Sequence, residues 1–408
     1  MTMLETEWTV LGGGIGGMAA ALSLARQGGA VQVLEQAEAF SEVGAGVQLG
    51  PNVTRLLRAW GLEPALMAVA FAPQRLQARD AASGRLLGEL ALADRAPRRY
   101  GAPYVCIHRA DLHTLLWRAV AAQGVPVVQG ARITDVQTGE AAVTLRAATG
   151  HRWQAQALVG ADGLWSRSRT LLGLTDAPRF SGHLAYRALV PQARLPAALR
   201  SDQVTVWMGP HLHVVEYPVQ SGQTLNIVAI VQGDQPADPS GWDHEAQTAP
   251  LWQAMGAVCM LLQDRLRAVA QWRLWPLHDR PPLTGPAQMA QGRVALLGDA
   301  AHPMRPYLAQ GAGMAIEDAW VLGECVASGS DMPARLAAYA SQRWARNARV
   351  QARSMRNGQI FHASGPLAWG RNLAMAASGG QVMDVPWLYS GMDALVKPGH
   401  DNGFVGRA

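Results

Sequence analysis

The sequence predicts an α/β fold: an α/β domain assembled from separated segments, an inserted and mostly antiparallel β domain, and a long C-terminal helix. Three observations predict it. Residues 8–35 read WTVLGGGIGGMAAALSLARQGGAVQVLE, a strand, a glycine-rich turn, a helix and a second strand. Residues 180–277 change to alternating runs bounded by Gly, Pro and Gln, as antiparallel strands do. Residues 313–362 keep a helical pattern throughout.

Each element has a local reason. The apolar strand Trp8–Leu11 runs into Gly12-x-Gly14-x-x-Gly17. Gly12 allows the tight turn, Gly14 lets backbone approach a pyrophosphate, and Gly17 lets helix and strand pack closely. The helix start offers free N–H groups and the positive end of a dipole. The strand Val31–Leu34 ends at Glu35, whose carboxylate is placed to accept hydrogen bonds from an adenosine ribose. A glycine turn between buried elements would not need that acid, so the unit reads as Rossmann-like and dinucleotide-binding. A second α/β stretch runs from Tyr104 to Leu172, with a helix at Asp111–Gln123 and strands at Pro126–Gln129 and Ala142–Ala147. Between the two, Pro73–Arg99 is mixed and expected elsewhere in space. Val204–Trp207, Leu212–Pro218 and Thr224–Val231 read as strands, His244–Ala268 as helical, and Arg293–Asp299 as a buried strand. The Gly-rich tail after Lys397 reads as loose.

Bulk composition narrows the classes. A chain of 408 residues is long enough for two domains, and 49% hydrophobic with 16% charged residues fits a globular enzyme. No apolar run is long enough to span a bilayer, and no cationic leader precedes the first strand, so no membrane partner and a cytoplasmic location are expected. Three scattered cysteines without a CxxC argue against a disulfide framework and a metal site. The net charge of +5 comes from Arg, Lys397 being the sole lysine. Arg343, Arg346, Arg349, Arg353 and Arg356 fall at helical spacing and read as a solvated helix face, with no nucleic-acid partner. The chain has one GxGxxG and no redox CxxxxC, so a reducing nicotinamide would have no nucleotide-binding unit of its own.

Three further segments carry chemistry. Arg293–Asp318 reads RVALLGDAAHPMRPYLAQGAGMAIED. Its strand delivers Asp299, a carboxylate suited to ribityl hydroxyls. Its Pro-rich turn ends at Pro306, and Gly311-Ala312-Gly313 lets main chain approach a flat ring and opens a helix whose N-terminus would stabilise negative charge. Ala157–Arg169 reads ALVGADGLWSRSR, a strand ending in Asp162-Gly163. His108-Arg109-Ala110-Asp111-Leu112 starts a helix with Arg109 placed for a pyrophosphate.

With GGGIGG, HRADL, GADG and GDAAHP in order across residues 8–395, the chain resembles the single-component FAD-dependent aromatic hydroxylases, which act on salicylate, hydroxybenzoates and 6-hydroxynicotinate. The resemblance implies FAD as cofactor, NADH or NADPH as reductant and O2 as co-substrate. It implies an FAD C4a-hydroperoxide that hydroxylates a small phenolic acid, in a monomer or homodimer. Segments 1–72, 101–175 and 278–365 would form the FAD-binding domain, 73–100 and 176–277 the substrate domain, and 366–408 a C-terminal segment. Cofactor contacts are implied for Ile15, Gln36, Val47, Ile133 and Met314 as well, and roles for Asp162-Gly163 toward both FAD and NAD(P)H.

Catalytic side chains are expected on the inserted sheet. Leu212–Pro218 places His213 and Tyr217 four apart on one strand face. The similar 3-hydroxybenzoate 6-hydroxylases carry His and Tyr in such a segment, which makes His213 the phenol base and Tyr217 a substrate hydrogen-bonder. Gln48, His211 and Tyr307 are further substrate-binding candidates, His211 because it would share that face. His302, in the same segment as Asp299, reads as a residue that supports the site from behind or packs. The chain is a mosaic: Met304–Ala319 resembles the 6-hydroxynicotinate enzymes, which carry His at the position of Gln48. Gln48–Asn52 resembles the 3-hydroxybenzoate enzymes, which carry Gln at the position of Pro306. An Arg or Tyr should clamp the substrate carboxylate, and the sequence does not single one out. Two other readings stay open, a hydroxylase of a larger phenolic or quinoid substrate and a non-catalytic aromatic-sensing flavoprotein. A halogenase is disfavoured because Trp272–Pro276 lacks the Trp-x-Trp-x-Ile-Pro pattern.

Overall fold

The computed structural model describes residues 4–40, 45–236, 244–327 and 331–391; the tail after Lys397 and Gly44 lie outside the described residues. The strand Leu4–Leu11 is central to the first sheet and pairs in parallel with Val31–Leu34 on one side and Arg152–Gly160 on the other. Val294–Leu296 and Val127–Val128 extend it in parallel at the two flanks. The hairpin Ile133–Thr138 with Val143–Ala147 joins Arg152–Gly160 antiparallel. All four residues of Val31–Leu34 are buried, as in a strand covered on both faces. Met18 and Leu22 of the helix Ile15–Arg26 share one buried cluster with Trp8, Val10 and Ile316. Burying each such side chain contributes roughly 1.5–3 kcal/mol.

The second sheet has eight strands, in the order His244–Ala246, Trp272–Asp279, Arg179–Pro191, Thr224–Gln232, Leu212–Val219, Val204–Gly209, Arg75–Asp80 and Leu86–Ala91. The mixed stretch thus supplies its edge, with Arg75–Asp80 parallel to Val204–Gly209. A third, two-stranded sheet pairs Gly46–Leu49 with Val105–His108. Asn226 ties it to the second sheet, its Oδ1 accepting the Gly46 N–H at 2.8 Å.

Several elements differ from expectation. The helical stretch His244–Ala268 opens with a strand, His244–Ala246, and then splits into helices Thr248–Met255 and Met260–Arg267 at Gly256, which has φ +59°. The helical run 313–362 is two helices, Gly311–Val326 and Met332–Phe361. The second starts where Asp331 Oδ1 accepts the Ala334 N–H, with a proline in the first turn, an N-terminal signal already present in the sequence.

The arginine stripe is a solvated face only in part: Arg349 and Arg356 are exposed, but the others turn inward. Arg343 is 1% exposed and pairs with Glu317 and Asp318. Arg346 grips Glu317 and the Trp387 and Leu388 carbonyls, and Arg349 lies over the Trp387 ring. Two adjacent buried acids on the neighbouring helix demand cations, because an unpaired buried charge is costly. Among the described residues no helix is long and apolar enough to cross a membrane, and no cluster of three or more His, Cys, Asp or Glu could hold a metal ion.

Candidate active site

A cavity of about 730 Å³ is walled by elements of both large sheets and closed by the C-terminal helices. Its first end is the glycine turn. Gly12 has φ +107°, a backbone only glycine adopts freely, and a Cβ on Gly17 would sit 1.8 Å from the Gly12 carbonyl oxygen. A Cβ on Gly14 would meet nothing within 4 Å, and Gly14, Ile15 and Gly16 face the cavity. The first turn of Ile15–Arg26 therefore presents its N–H groups to an open space. Arg109, at the start of the helix Arg109–Ala122, lines the same end, and its backbone N–H donates to the Ala45 carbonyl.

Asp299 stands in the short turn after the strand Val294–Leu296 and opens onto the cavity. The surrounding protein pushes its carboxyl pKa up by desolvation, against the nearby charges of His302 and Arg109. Pro306, Gly311, Ala312 and Val47 complete this end. An open glycine turn, a helix start, a cation and an inward carboxylate together fit a dinucleotide cofactor.

Glu35 sits outside the cavity wall. Its Oε2 accepts the Gly13 N–H at 2.6 Å and its Oε1 the Ala37 N–H at 2.8 Å. An ionised carboxylate has about four acceptor sites, so capacity remains for a ribose. Gln36 is exposed beside it. His113, which the sequence reading missed, donates its Nε2–H to the Gly13 carbonyl, 2.7 Å away. Asp162 turns away from the cavity: its Oδ2 accepts from the backbone N–H groups of Arg167 and Ser168 and from the Ser168 hydroxyl. Its neighbours Ala161 and Gly163 line the cavity instead.

The other end is the second sheet. The strand Leu212–Val219 turns His213, Val215 and Tyr217 into the cavity. The intervening Leu212 and Val214 pack into the opposite core, and Glu216 takes hydrogen bonds there from Trp207 and Arg265. Tyr217 is bonded to Gln48, which also accepts from the Tyr104 hydroxyl at 2.5 Å. Burial raises the Tyr217 pKa well above the ordinary phenol range. Gly46 makes this packing possible, since a Cβ there would lie 2.5 Å from the Tyr217 ring.

His213 Nδ1 is 2.7 Å from His362 Nε2, and burial, then the nearby histidines, depress its pKa well below the usual imidazole value. Tyr307 stacks edge-on against His213 at 5.1 Å between centroids, and its buried hydroxyl has no hydrogen-bond partner among the described residues. Arg187, on the strand Arg179–Pro191, lies 3.7 Å over the Trp275 ring, and both residues line the cavity.

The structure thus brings Gly14, Ile15, Val47, Gln48, Arg109, His213, Tyr217, Asp299, Pro306, Tyr307, Gly311 and Ala312 onto one cavity. It leaves others off it. His211 does not share the face of His213: the strand begins at Leu212, and His211 is an exposed turn residue with φ +61°. Ile133 is buried in the core of the first sheet, Met314 packs against Val350 and Leu388, and Gly313 sits between Gln310 and Val53. His302 is buried off the cavity, with Nε2 2.5 Å from Asp318 Oδ2.

Tyr104, Tyr389, Arg371 and His362 were not singled out as site residues by the sequence, and Arg353 was read only as part of the arginine stripe. Each comes from a segment far from the strand it faces.

Comparison with known proteins agrees with this geometry. The FAD binding domain family matches residues 5–354. The chain is 36% identical over 359 residues to a 3-hydroxybenzoate 6-hydroxylase of Polaromonas naphthalenivorans, covering 87% of this chain and 88% of that one. It is 38% identical over 387 residues to a 3-amino-4-hydroxybenzoate 2-monooxygenase of Streptomyces platensis, covering 93% and 94%. It superposes on Klebsiella pneumoniae HpxO complexed with FAD and uric acid with a TM-score of 0.82, at 26% identity and 95% coverage of each chain. The chain belongs to the FAD binding domain family, among the FAD-dependent aromatic hydroxylases.

Proposed function

We propose that this protein is an NAD(P)H-dependent monooxygenase that hydroxylates a small phenolic acid of the hydroxybenzoate or hydroxynicotinate type. The observation that carries the reading is one cavity with the open glycine turn and Asp299 at one end and His213 with Tyr217 at the other. Its volume of about 730 Å³ falls within the range of small-molecule sites.

When bound, FAD supplies two-electron reduction by NAD(P)H and activation of O2 for transfer of one oxygen atom. The glycine turn, Arg109 and Asp299 would hold it, with Glu35 at the adenosine end. The chain's own residues prepare the substrate. Neutral His213 accepts the phenolic proton, and the Tyr217 hydroxyl, oriented by Gln48, donates to the phenolate oxygen, which makes the ring electron-rich. Arg187, braced on Trp275 and close enough for its charge to act on Tyr217, offers its guanidinium to the carboxylate. Leu76, Val206, Met208 and Ile230 keep water from the reacting ring.

The test is a panel: NADH and NADPH oxidation by the FAD-loaded protein with 3-hydroxybenzoate, 3-amino-4-hydroxybenzoate, 6-hydroxynicotinate and salicylate, using isotopically labelled dioxygen. One acid should stimulate oxidation and gain a single labelled oxygen. Stimulation that yields only peroxide, or none by any phenolic acid, would overturn the reading.

A further inference from the structure

We propose that Arg353 forms a second carboxylate subsite, which takes the acid group of an incoming aromatic acid before its ring reaches His213 and Tyr217. The proposal deepens the hydroxylase reading and rests on it for the identity of the acid. The cavity continues past His213 into a lobe between the second sheet and the helices Met332–Phe361 and Gly365–Ala377. Phe361, 5.2 Å from His213, leads into the lobe and packs in one apolar cluster with Met208, Met375 and Met383. Methionine walls adapt their shape to what passes them. Ala374 and Val382 also line the cavity and are exposed, so the lobe opens to water there. Arg353 lines the same cavity from the long helix, seven residues before Ile360, which is about 10 Å along the axis. It therefore meets an acid at a different point of the cavity from His213.

Two observations mark this point as a site for an anion. The first is the state of the arginine itself. Among the described residues its guanidinium makes no hydrogen bond or ion pair, and its Nε is buried without an acceptor. The other cations nearby are occupied. Arg343 and Arg346 on the same helix hold Glu317 and Asp318, and Arg371 across the lobe donates to the Ile360 and Phe361 carbonyls. A half-buried cation with five donors and no acceptor is costly until an anion arrives.

The second is the sign of the cavity. Asp299 is the only acid among its described lining residues, and it stands at the cofactor end. Away from that end the charged lining residues are Arg187, Arg353 and Arg371. Asp384, next to the lobe wall in sequence, is already held by Arg95, Arg99 and Tyr100. A concave wall of one sign concentrates ligands of the other sign and speeds their arrival. The planar guanidinium fork matches a carboxylate, and the apolar walls match an aromatic ring. The step is binding alone, with no bond made or broken.

The experiment compares FAD-loaded wild type, Arg353→Met and Arg353→Lys in stopped-flow binding of 3-hydroxybenzoate, followed by flavin absorbance. Arg353→Met should lower the association rate and raise KM by about 10-fold, the lower end for electrostatic steering, and should weaken the salt dependence of association. Its kcat at saturation and its product formed per NADH should hold, and Arg353→Lys should recover most of the association rate. Its melting temperature should not fall, since no partner is lost. Unchanged association and KM in Arg353→Met would overturn the subsite, as would a loss confined to kcat or coupling, or a marked fall in melting temperature.

A benzoate arm separates this proposal from the hydroxylase reading, because it needs no turnover. Calorimetric titration of benzoate into Arg187→Met, which lacks the inner clamp, should detect binding that adding Arg353→Met abolishes. That loss, with no acid hydroxylated in the panel, would leave the anion subsite and remove the hydroxylase reading. Benzoate binding that is absent from Arg187→Met, or unaffected by adding Arg353→Met, would remove the subsite and leave the hydroxylase reading to the panel.

Discussion

Gly46→Ala is the perturbation whose effect follows most directly from the geometry. The new methyl carbon would lie 2.5 Å from a Tyr217 ring carbon, 2.8 Å from Asn226 Cγ and 2.9 Å from the Tyr217 hydroxyl oxygen. Ordinary contact begins near 3.4 Å, so the ring must retreat by about 0.9 Å. The strand Leu212–Val219 is paired on both sides and cannot yield, so Tyr217 must shift away from Gln48. Overpacking of this kind costs roughly 1–3 kcal/mol of stability. A displacement near 1 Å at a positioning group costs about 10²-fold in rate. The assay is product formed per NADH oxidised, alongside FAD affinity and thermal stability. The variant should bind FAD like wild type, melt somewhat lower, lose about 10²-fold in hydroxylation and divert reducing equivalents to H2O2. A folded Gly46→Ala enzyme with wild-type rate and coupling would show that Tyr217 has no positioning role.

Three further outcomes are expected. Asp299→Ala should weaken FAD binding, because a charged acceptor worth roughly 1.5–3 kcal/mol is lost; wild-type FAD affinity by fluorescence titration would remove Asp299 from the cofactor site. Glu35→Ala should also weaken FAD binding, since the Gly13 and Ala37 N–H groups lose their acceptor, yet turnover at saturating FAD should hold, and a large loss there would contradict an adenosine-end role. Arg343→Met should cost about 3–5 kcal/mol in a denaturant titration by leaving Glu317 and Asp318 under-compensated in the core. The same cluster sets an acid limit. Burial disfavours the Asp318 carboxylate, but the charges of His302 and Arg343 outweigh it and hold its pKa well below the ordinary range. Its folded pKa being depressed, the stabilisation is present above the unfolded carboxylate pKa of about 4 and lost as pH falls below it toward the folded value; a wild-type stability that falls no more steeply below that pH than the stability of Asp318→Asn would contradict this.

What the sequence revealed depended on how local each constraint is. The glycine turn was legible residue by residue because φ and close approach at Gly12 and Gly17 are set within six residues. Strand alternation placed His213 and Tyr217 together because side chains repeat every second residue on one face. The same rule failed at His211, where the strand had already given way to a turn. The partners of those two residues were not legible: Tyr104 and His362 meet them only after sheets and helices have packed, and no spacing in the chain links them. The arginine stripe was read correctly at Arg349 and Arg356, which are exposed, and misread at Arg343 and Arg346 for a different reason. Its spacing did mark a helix face, but the decision between water and core lay with Glu317 and Asp318 on another helix. The adjacent acids Glu317 and Asp318 inside the largely apolar run Gly311–Val326 were the available sign that cations would be drawn inward.

The claim at the centre of the account is that the His213–Tyr217 face activates a phenol beside the cofactor end of the cavity. Product formed per NADH oxidised in His213→Ala and Tyr217→Phe tests it most directly, with the best acid from the panel as substrate. Both variants should bind FAD normally, lose about 10²–10⁴-fold in hydroxylation, the range for a positioned acid–base group, and release H2O2 in place of product. Wild-type rate and coupling in both would contradict the claim and move the search to Gln48, Tyr104 and Tyr307.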